Sequence, residues 1–192
     1  MQARLSATDL ACRRGERLLF RKLSLDLRPG DMLEVCGPNG VGKTSLLRIL
    51  AGLAEPFAGE VVRTGEIGLV DARHALDLDR RLGDALGFWE RLDRSGDLSS
   101  AVARTQIDGL LDIPVGYLST GQKQRAAIAR LLGRNRPIWL LDEAFAGLDT
   151  AAQGMLAGLI REHCETGGLC VFVSHQPVDV PAQALDLAEY AA

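Results

Sequence analysis

The sequence predicts an α/β fold with an N-terminal antiparallel β portion and a small helical subdomain. Three observations carry this. An apolar run, Met32-Leu33-Glu34-Val35-Cys36, passes through the glycine-rich stretch 37–44 into a helical pattern, Thr44 to Leu50. A second apolar run, Ile138-Trp139-Leu140-Leu141, ends on two carboxylates and reads as a buried parallel strand. Between them the composition turns polar and helical, from Asp71 to about Tyr117.

Taken in order, residues 1–30 read as short strands and turns. Leu18-Leu19-Phe20 and Leu23-Ser24-Leu25-Asp26-Leu27 are strand candidates, the second alternating with period two and stopped by Pro29-Gly30. Arg13-Arg14-Gly15 reads as the hairpin turn before them. After the glycine-rich stretch and its helix, residues 52–59 are a loop rich in breakers. Glu60 to Arg63 and Glu66 to Val70 then read as strands parted by Thr64-Gly65. In the polar segment Leu82, Leu86 and Trp89 recur at helical spacing, as do Ile107, Leu110 and Leu111, with Trp89 a packing residue. Thr120 to Leu132 is a helix pattern offering Ala126, Ala127, Ala129 and Leu131 for packing. Residues 151–163 form another, and Cys170 to Val173 a further buried strand. The final dozen residues carry no recognisable chemistry. The expected organisation is a single domain over 1–192, its helical subdomain at about 71–117 extending into the helix that starts at Thr120.

Gly37-Pro38-Asn39-Gly40-Val41-Gly42-Lys43-Thr44 fits the phosphate-loop pattern of Gly, four residues, then Gly-Lys-Ser/Thr. Its strand–loop–helix setting separates a phosphate cradle from a chance match. The glycines let the backbone curl so that N–H groups converge on phosphate oxygens, and the new helix adds its positive end. In such a cradle Lys43 reaches the β- and γ-phosphates and the Thr44 hydroxyl binds Mg²⁺. Asp142 and Glu143 point in different directions at a strand end. Asp142 suits Mg²⁺, directly or through water, and Glu143 suits a general base that positions water at a γ-phosphate. Without the cradle the pair would read as an ordinary strand exit. Within Leu118-Ser119-Thr120-Gly121-Gln122, Ser119 and the Gly121 backbone can hold an anion at a helix N-terminus; alone, the segment is equally a plain Ser cap.

A net charge of −3, from 22 basic and 25 acidic residues, argues against a dedicated nucleic-acid binder. No apolar run is long enough to span a bilayer and the N-terminus has no signal pattern, so a cytoplasmic location is expected. Cys12, Cys36, Cys164 and Cys170 are scattered without metal or redox spacing and read as reduced, mostly buried thiols.

In their order these motifs resemble the ATP-binding cassette (ABC) ATPases. The phosphate loop is followed by Leu118-Ser119-Thr120-Gly121-Gln122, by the strand ending in Asp142-Glu143, by Ala146-Gly147-Leu148-Asp149 and by Val173-Ser174-His175. The resemblance implies a P-loop NTPase core of the ABC-ATPase type that binds ATP with Mg²⁺ and hydrolyses it. It implies two cassettes, as a homodimer, facing head to tail with ATP sandwiched between them. Gly37, Pro38, Asn39, Gly40, Val41, Gly42, Lys43, Thr44 and Ser45 would wrap the phosphates. Ser119 and Gly121, with Gln122 in the same nucleotide-binding set, would contact the γ-phosphate held by the partner's loop. Asp149 would sit at the dimer seam, and His175 would sense the γ-phosphate. More narrowly, Glu16-Arg17-Leu18-Leu19-Phe20, Tyr117 to Gln122, and Ser174-His175-Gln176-Pro177 are similar to the ATP-binding subunits of the cytochrome c maturation exporter, a family described as haem exporters. That implies integral membrane subunits of the exporter as partners, a peripheral place on the inner face of the cell membrane, and no nucleic acid.

The chain departs from the family in three places. Thr120 stands where cassettes usually have Gly. The aromatic residue that normally stacks on adenine near position 14 is missing; Arg14 either stacks its guanidinium plane there or is an exposed turn arginine. The Gln expected after the strand near Val70 is replaced by Asp71-Ala72-Arg73-His74. Alternative readings are an ATPase subunit of another ABC transporter, a non-transport ABC ATPase acting on ribosomes or DNA, and a phosphate-loop kinase of small molecules. The non-transport class usually carries two cassettes in one chain or long coiled-coil insertions, and a kinase has no use for the signature helix.

Overall fold

The computed structural model describes residues 2–71, 73–93 and 97–191. In chain order the strands are β1 (Arg4–Arg14), β2 (Arg17–Leu27), β3 (Met32–Cys36), β4 (Ala58–Thr64), β5 (Ile67–Val70), β6 (Ile138–Asp142), β7 (Leu169–Val173) and β8 (Gln183–Asp186). The α-helices are α1 (Lys43–Leu50), α2 (Leu82–Asp93), α3 (Leu98–Arg104), α4 (Thr120–Leu132) and α5 (Thr150–Glu165).

The strands divide into two sheets. β2, β1 and β4 form an antiparallel sheet, and β5-β6-β7-β3-β8 form a parallel one. Every residue of β7 and the first four of β6 are buried, which explains their unbroken apolar sequences: both faces of a parallel sheet are covered. One face packs on α1 and the antiparallel sheet through Leu46, Leu50, Phe20 and Leu140; the other packs on α4 and α5 through Ile128, Leu156, Ile160 and Phe172.

Two expectations change at this point, and one connection that the sequence left open is fixed. The two strands expected before Pro29 are one strand, β2, because Lys22 takes a left-handed φ of 58° and absorbs the polar Arg21-Lys22 step without ending the ladder. The hairpin turn falls at Gly15-Glu16, where Gly15 has φ 60°, so Arg13 and Arg14 belong to β1. β4 and β5, adjacent in sequence, lie in different sheets: β4 pairs with β1 and β5 with β6, with Gly65 at φ 109° turning the chain between them. The last residues also acquire a place, since β8 pairs in parallel with β3 and seats Asp186 beside Gly37.

α2 and α3 share a core with α4, built on Leu82, Leu86, Val102, Ile107, Ala126 and Ala129. Polar contacts reinforce it. The Arg130 guanidinium lies 3.6 Å over the Trp89 ring, whose Nε1 donates to the Ala75 carbonyl at 2.9 Å. Asp93, almost fully buried, bridges Arg134 at 2.5 Å and Arg136 at 3.5 Å. Ala72 and residues 94–96, which fall within the expected helical subdomain, lie outside the described residues. Among the described residues no helix is long and apolar enough to cross a membrane.

Candidate nucleotide-binding site

A parallel sheet sends all its strand C-termini to one edge, and ligands of open α/β sheets bind at that edge. Here β3 runs into the phosphate loop, β6 ends at Asp142, β7 leads into Ser174-His175, and β5 ends one residue before Asp71. Residues over 100 positions apart in sequence therefore meet around one cleft of about 450 Å³. Asn39, Gly40, Gly42, Lys43, Thr44, Ser45, Glu143 and His175 line it, together with Arg14, Arg17 and Leu19.

The loop is shaped by glycine. Gly37, Gly40 and Gly42 all have positive φ, at 125°, 79° and 119°. Gly42 is also tightly approached: a Cβ there would lie 3.1 Å from Phe20 Cδ1. Val41 is buried, with its N–H donating to the Pro38 carbonyl at 3.4 Å. Lys43 is only 8% exposed, and its ammonium donates to the carbonyls of Gly37 at 2.7 Å and Pro38 at 3.2 Å. Among the described residues it has no salt-bridged carboxylate, so a buried positive charge is held by carbonyl dipoles alone at the start of α1. That arrangement favours an anion.

Asp142 and Glu143 diverge. Burial pushes the Asp142 carboxyl above the usual carboxylate range; the nearby Thr44 hydroxyl opposes this and the Asp71 carboxylate adds to it. Asp142 Oδ1 is buried with no hydrogen-bond partner. An orphaned carboxylate oxygen beside a hydroxyl is a hard-oxygen donor set, and it fits Mg²⁺, which usually takes one or two protein oxygens and completes its shell with phosphates and water. Among the described residues no three His, Cys, Asp or Glu side chains converge to cage a metal. Glu143 takes φ 56°, a left-handed conformation that costs a non-glycine residue about 1 kcal/mol. Its N–H extends the β6–β7 ladder by donating to the Val173 carbonyl at 3.2 Å. The kink turns its carboxylate onto His175 Nε2 at 3.0 Å. Burial raises the Glu143 pKa, with His175 opposing and Asp142 reinforcing.

The remaining sequence-predicted residues are not in this cleft. Ser119 caps α4: its hydroxyl accepts from Gln122 N–H at 3.2 Å while Gln122 Oε1 accepts from Ser119 N–H at 2.8 Å. Gly121 touches the loop before α5, since a Cβ there would lie 2.5 Å from the Gly147 carbonyl oxygen. Thr120 fills space beside Gly147 rather than leaving a gap. Asp149 is exposed and caps α5, accepting from Ala152 N–H at 2.8 Å. Of the stretch that replaces the expected Gln, Ala72 lies outside the described residues; Asp71 Oδ1 accepts from Arg73 N–H at 3.0 Å.

Two features escaped sequence reasoning. Arg17 lines the cleft opposite Arg14; the signal was its two-residue offset from Leu19 on an amphipathic strand. Gln176 bonds Gln153 at 3.0 Å and the Phe145 carbonyl at 3.3 Å, tying the His175 loop to α5 and to the loop after β6. No local pattern announces that pair.

A glycine-curled loop opening a helix, a divergent carboxylate pair at the end of β6 in the same sheet, one strand removed from β3, and a capped helix abutting the next loop together define an ATP-binding cassette. Residues 20–146 match the ABC transporter family. The chain is 53% identical over 174 residues, 91% of this chain and 90% of the relative, to the cytochrome c biogenesis ATP-binding export protein CcmA of Novosphingobium aromaticivorans. The fold matches that of an ATP-binding protein assigned to an ABC transporter of Pyrococcus furiosus, with TM-score 0.85, 21% identity, and coverage of 98% of this chain and 100% of that one. It also matches a dimeric ATP-binding cassette solved in a post-hydrolysis state with ADP and Pi, with TM-score 0.76, 23% identity, and coverage of 90% of this chain and 88% of that one. The chain belongs to the ABC transporter ATP-binding family and, within it, to the CcmA group.

Proposed function

We propose that this chain is the ATP-hydrolysing subunit of an export complex for cytochrome c biogenesis, acting as one cassette over 1–192 with its helical subdomain at about 71–117. It pairs with a second copy and is held at the inner face of the cell membrane by integral membrane subunits. One observation supports the reading above the others: Lys43, Thr44, Asp142, Glu143 and His175 meet at one sheet edge, within or beside one cleft.

Each residue then has a task. The loop N–H groups from Gly37 to Ser45 receive the phosphates, and Lys43 exchanges the carbonyls of Gly37 and Pro38 for phosphate oxygens. Thr44 and Asp142 hold Mg²⁺, which supplies charge neutralisation when bound. Glu143, its basicity increased by burial, takes the proton of the attacking water. His175 holds Glu143 in place and reaches the γ-phosphate. Ser119, Gly121 and Gln122 present the N-terminus of α4 to the ATP of the second cassette, with Asp149 near the seam.

The test is complementation of a strain lacking this chain, read as haem-stained c-type cytochromes. Wild type restores them; Lys43→Ala and Glu143→Gln, accumulated to the same level, do not. Restoration by Lys43→Ala would overturn the nucleotide cradle. A wild-type chain that hydrolyses ATP and restores nothing would overturn the cytochrome c assignment.

A further inference from the structure

β7 ends at Val173, and residues 174–176 carry His175 to Glu143 with no helix or strand of their own. His175 Nε2 meets Glu143 Oε1 at 3.0 Å, and the His175 backbone N–H also donates toward the Glu143 carboxylate. Ring and main chain of one residue thus serve the same carboxylate, so the place of the 174–176 backbone sets the geometry of Glu143. Both side chains are partly exposed, and such a pair is too weak to hold two loops together by itself.

The turn is closed on itself. Ser174 Oγ accepts from Gln176 N–H at 3.1 Å and donates to the Gln176 carbonyl at 2.8 Å. A closed turn can still pivot about Val173, and the Gln176 side chain prevents this. Its Nε2 donates to the Phe145 carbonyl at 3.3 Å, in the loop that begins at Glu143. Its Oε1 accepts from Gln153 Nε2 at 3.0 Å, and the same Nε2 donates to the Leu148 carbonyl at 3.0 Å. Carbonyls only accept, so both amides are fixed in orientation. A ring results: along the chain from Glu143 to Phe145, across a hydrogen bond to Gln176, back along the chain to His175, and across to Glu143 again.

We propose that Gln176, braced by Gln153, is the positioning residue that holds His175 on Glu143, and that it affects hydrolysis through Glu143 alone. The inference rests on the reading of Glu143 as the base. Position 176 needs an amide, because the side chain must donate to a carbonyl and accept from an N–H at once; Met does neither. Position 153 only donates. A base has to lie within about 2.6–3.2 Å of the proton it takes, and a misplacement of about 1 Å costs roughly 10²-fold.

The experiment measures phosphate release from Mg·ATP by the full chain, with kcat and KM taken separately, for wild type, Gln176→Met, Glu143→Gln and the double variant. Gln176→Met should lower kcat roughly 10- to 100-fold and leave KM within about twofold, since the phosphate loop that binds ATP is untouched. In the Glu143→Gln background the same substitution should cost less than about threefold, because the group it positions is gone. A residue that only supports the fold would cost the same in both backgrounds. Gln153→Lys, which still donates, should turn over roughly tenfold faster than Gln153→Met. Thermal melting establishes that each variant is folded; should Gln176→Met not fold, the Gln153 substitutions in both backgrounds carry the test. Equal losses in the two backgrounds, a Gln176→Met kcat within about twofold of wild type, or equal rates for Gln153→Lys and Gln153→Met overturn the inference. Wild-type turnover by Glu143→Gln overturns instead the base role on which it rests.

Discussion

Replacing Glu143 by Gln removes one charge and preserves shape, and the structure sets what each loss is worth. The contact to His175 joins side chains that are 30% and 52% exposed, so it contributes roughly 0.2–1 kcal/mol to the fold. Against that, Gln relieves the burial cost and the repulsion from Asp142 that hold the Glu143 pKa up. Gln retains the left-handed backbone penalty that Glu already carries. The net change in stability should fall within about 1 kcal/mol, or roughly 2–4 °C in Tm for a chain of this size. The phosphate loop is untouched, so ATP affinity stays. Losing a general base costs about 10²- to 10⁴-fold in rate, or roughly 3–5 kcal/mol of barrier. Free-phosphate release with Mg·ATP, in the proposed complex with membrane subunits, gives the rate; fluorescent-nucleotide titration and thermal melting give the controls. Turnover within about tenfold of wild type would refute the role of Glu143. A melting shift well beyond about 4 °C would show that the effect came through the fold. Glu143→Gly, whose backbone suits φ 56°, should be folded and equally inactive.

Other perturbations test the frame around the site. Gly121→Ala drives a Cβ into the Gly147 carbonyl, which is backbone and cannot rotate away, so calorimetry should show a loss of about 1–3 kcal/mol; an unchanged Tm would mean that α4 and the loop before α5 are not tightly joined. Asp93→Ala takes the carboxylate from half-buried Arg134 and leaves Arg136 with Glu66 as its remaining partner, and should cost roughly 1.5–3 kcal/mol in denaturant melts. His163, stacked on Trp139 at 3.8 Å, has its pKa lowered to about 4 by burial. Because the unfolded chain binds that proton near pH 6.5 and the folded chain does not, stability should fall as pH drops from about 6.5 to 4, by up to about 3 kcal/mol. Melting temperatures across that range should lose this slope in His163→Phe; an identical slope in the variant would assign the acid sensitivity to other groups.

Much of this fold was legible because the informative features are local. A strand, a glycine-curled loop and a helix are consecutive, so the stretch from Met32 to Leu50 declares itself. The buried strands β6 and β7 are equally legible, since sheets covered on both faces demand unbroken apolar runs. What stayed hidden depends on pairing across the chain. Nothing near Thr64-Gly65 states that β4 turns back to β1 while β5 goes on to β6. The bulge at Lys22 made one strand look like two, because left-handed φ at a lysine has no sequence signal. Arg17 was masked for the same reason: its place beside the phosphate loop follows from the contact of Gly42 with Leu19 and Phe20, which joins segments over 20 residues apart. The Gln153–Gln176 bond needs α5 and the loop after β7 to be placed before either glutamine means anything.

The placement of α4 bears on how the proposed machine must work. Within one chain the cap of this helix is closed: Ser119 and Gln122 satisfy each other, and Lys123 N–H reaches the Ser119 carbonyl. Two further N–H groups of the first turn, those of Thr120 and Gly121, point along a 13-residue helix whose axis dipole favours an anion there. Yet none of these residues lines the cleft that holds Lys43 and Glu143. Under the proposed head-to-tail pairing, the same surface is supplied to the other cassette's cleft, and each site is finished by the chain that does not own its phosphate loop. Coupling then has a short path. Gly121 rests on the Gly147 carbonyl, the loop runs on to Asp149 at the α5 cap, and Gln153 on α5 bonds the Gln176 that follows His175. A displacement of α4 by nucleotide in the opposite cassette would be transmitted through three contacts to the residue holding Glu143. The two sites would therefore sense each other through packed backbone and paired amides, with no long-range charge required.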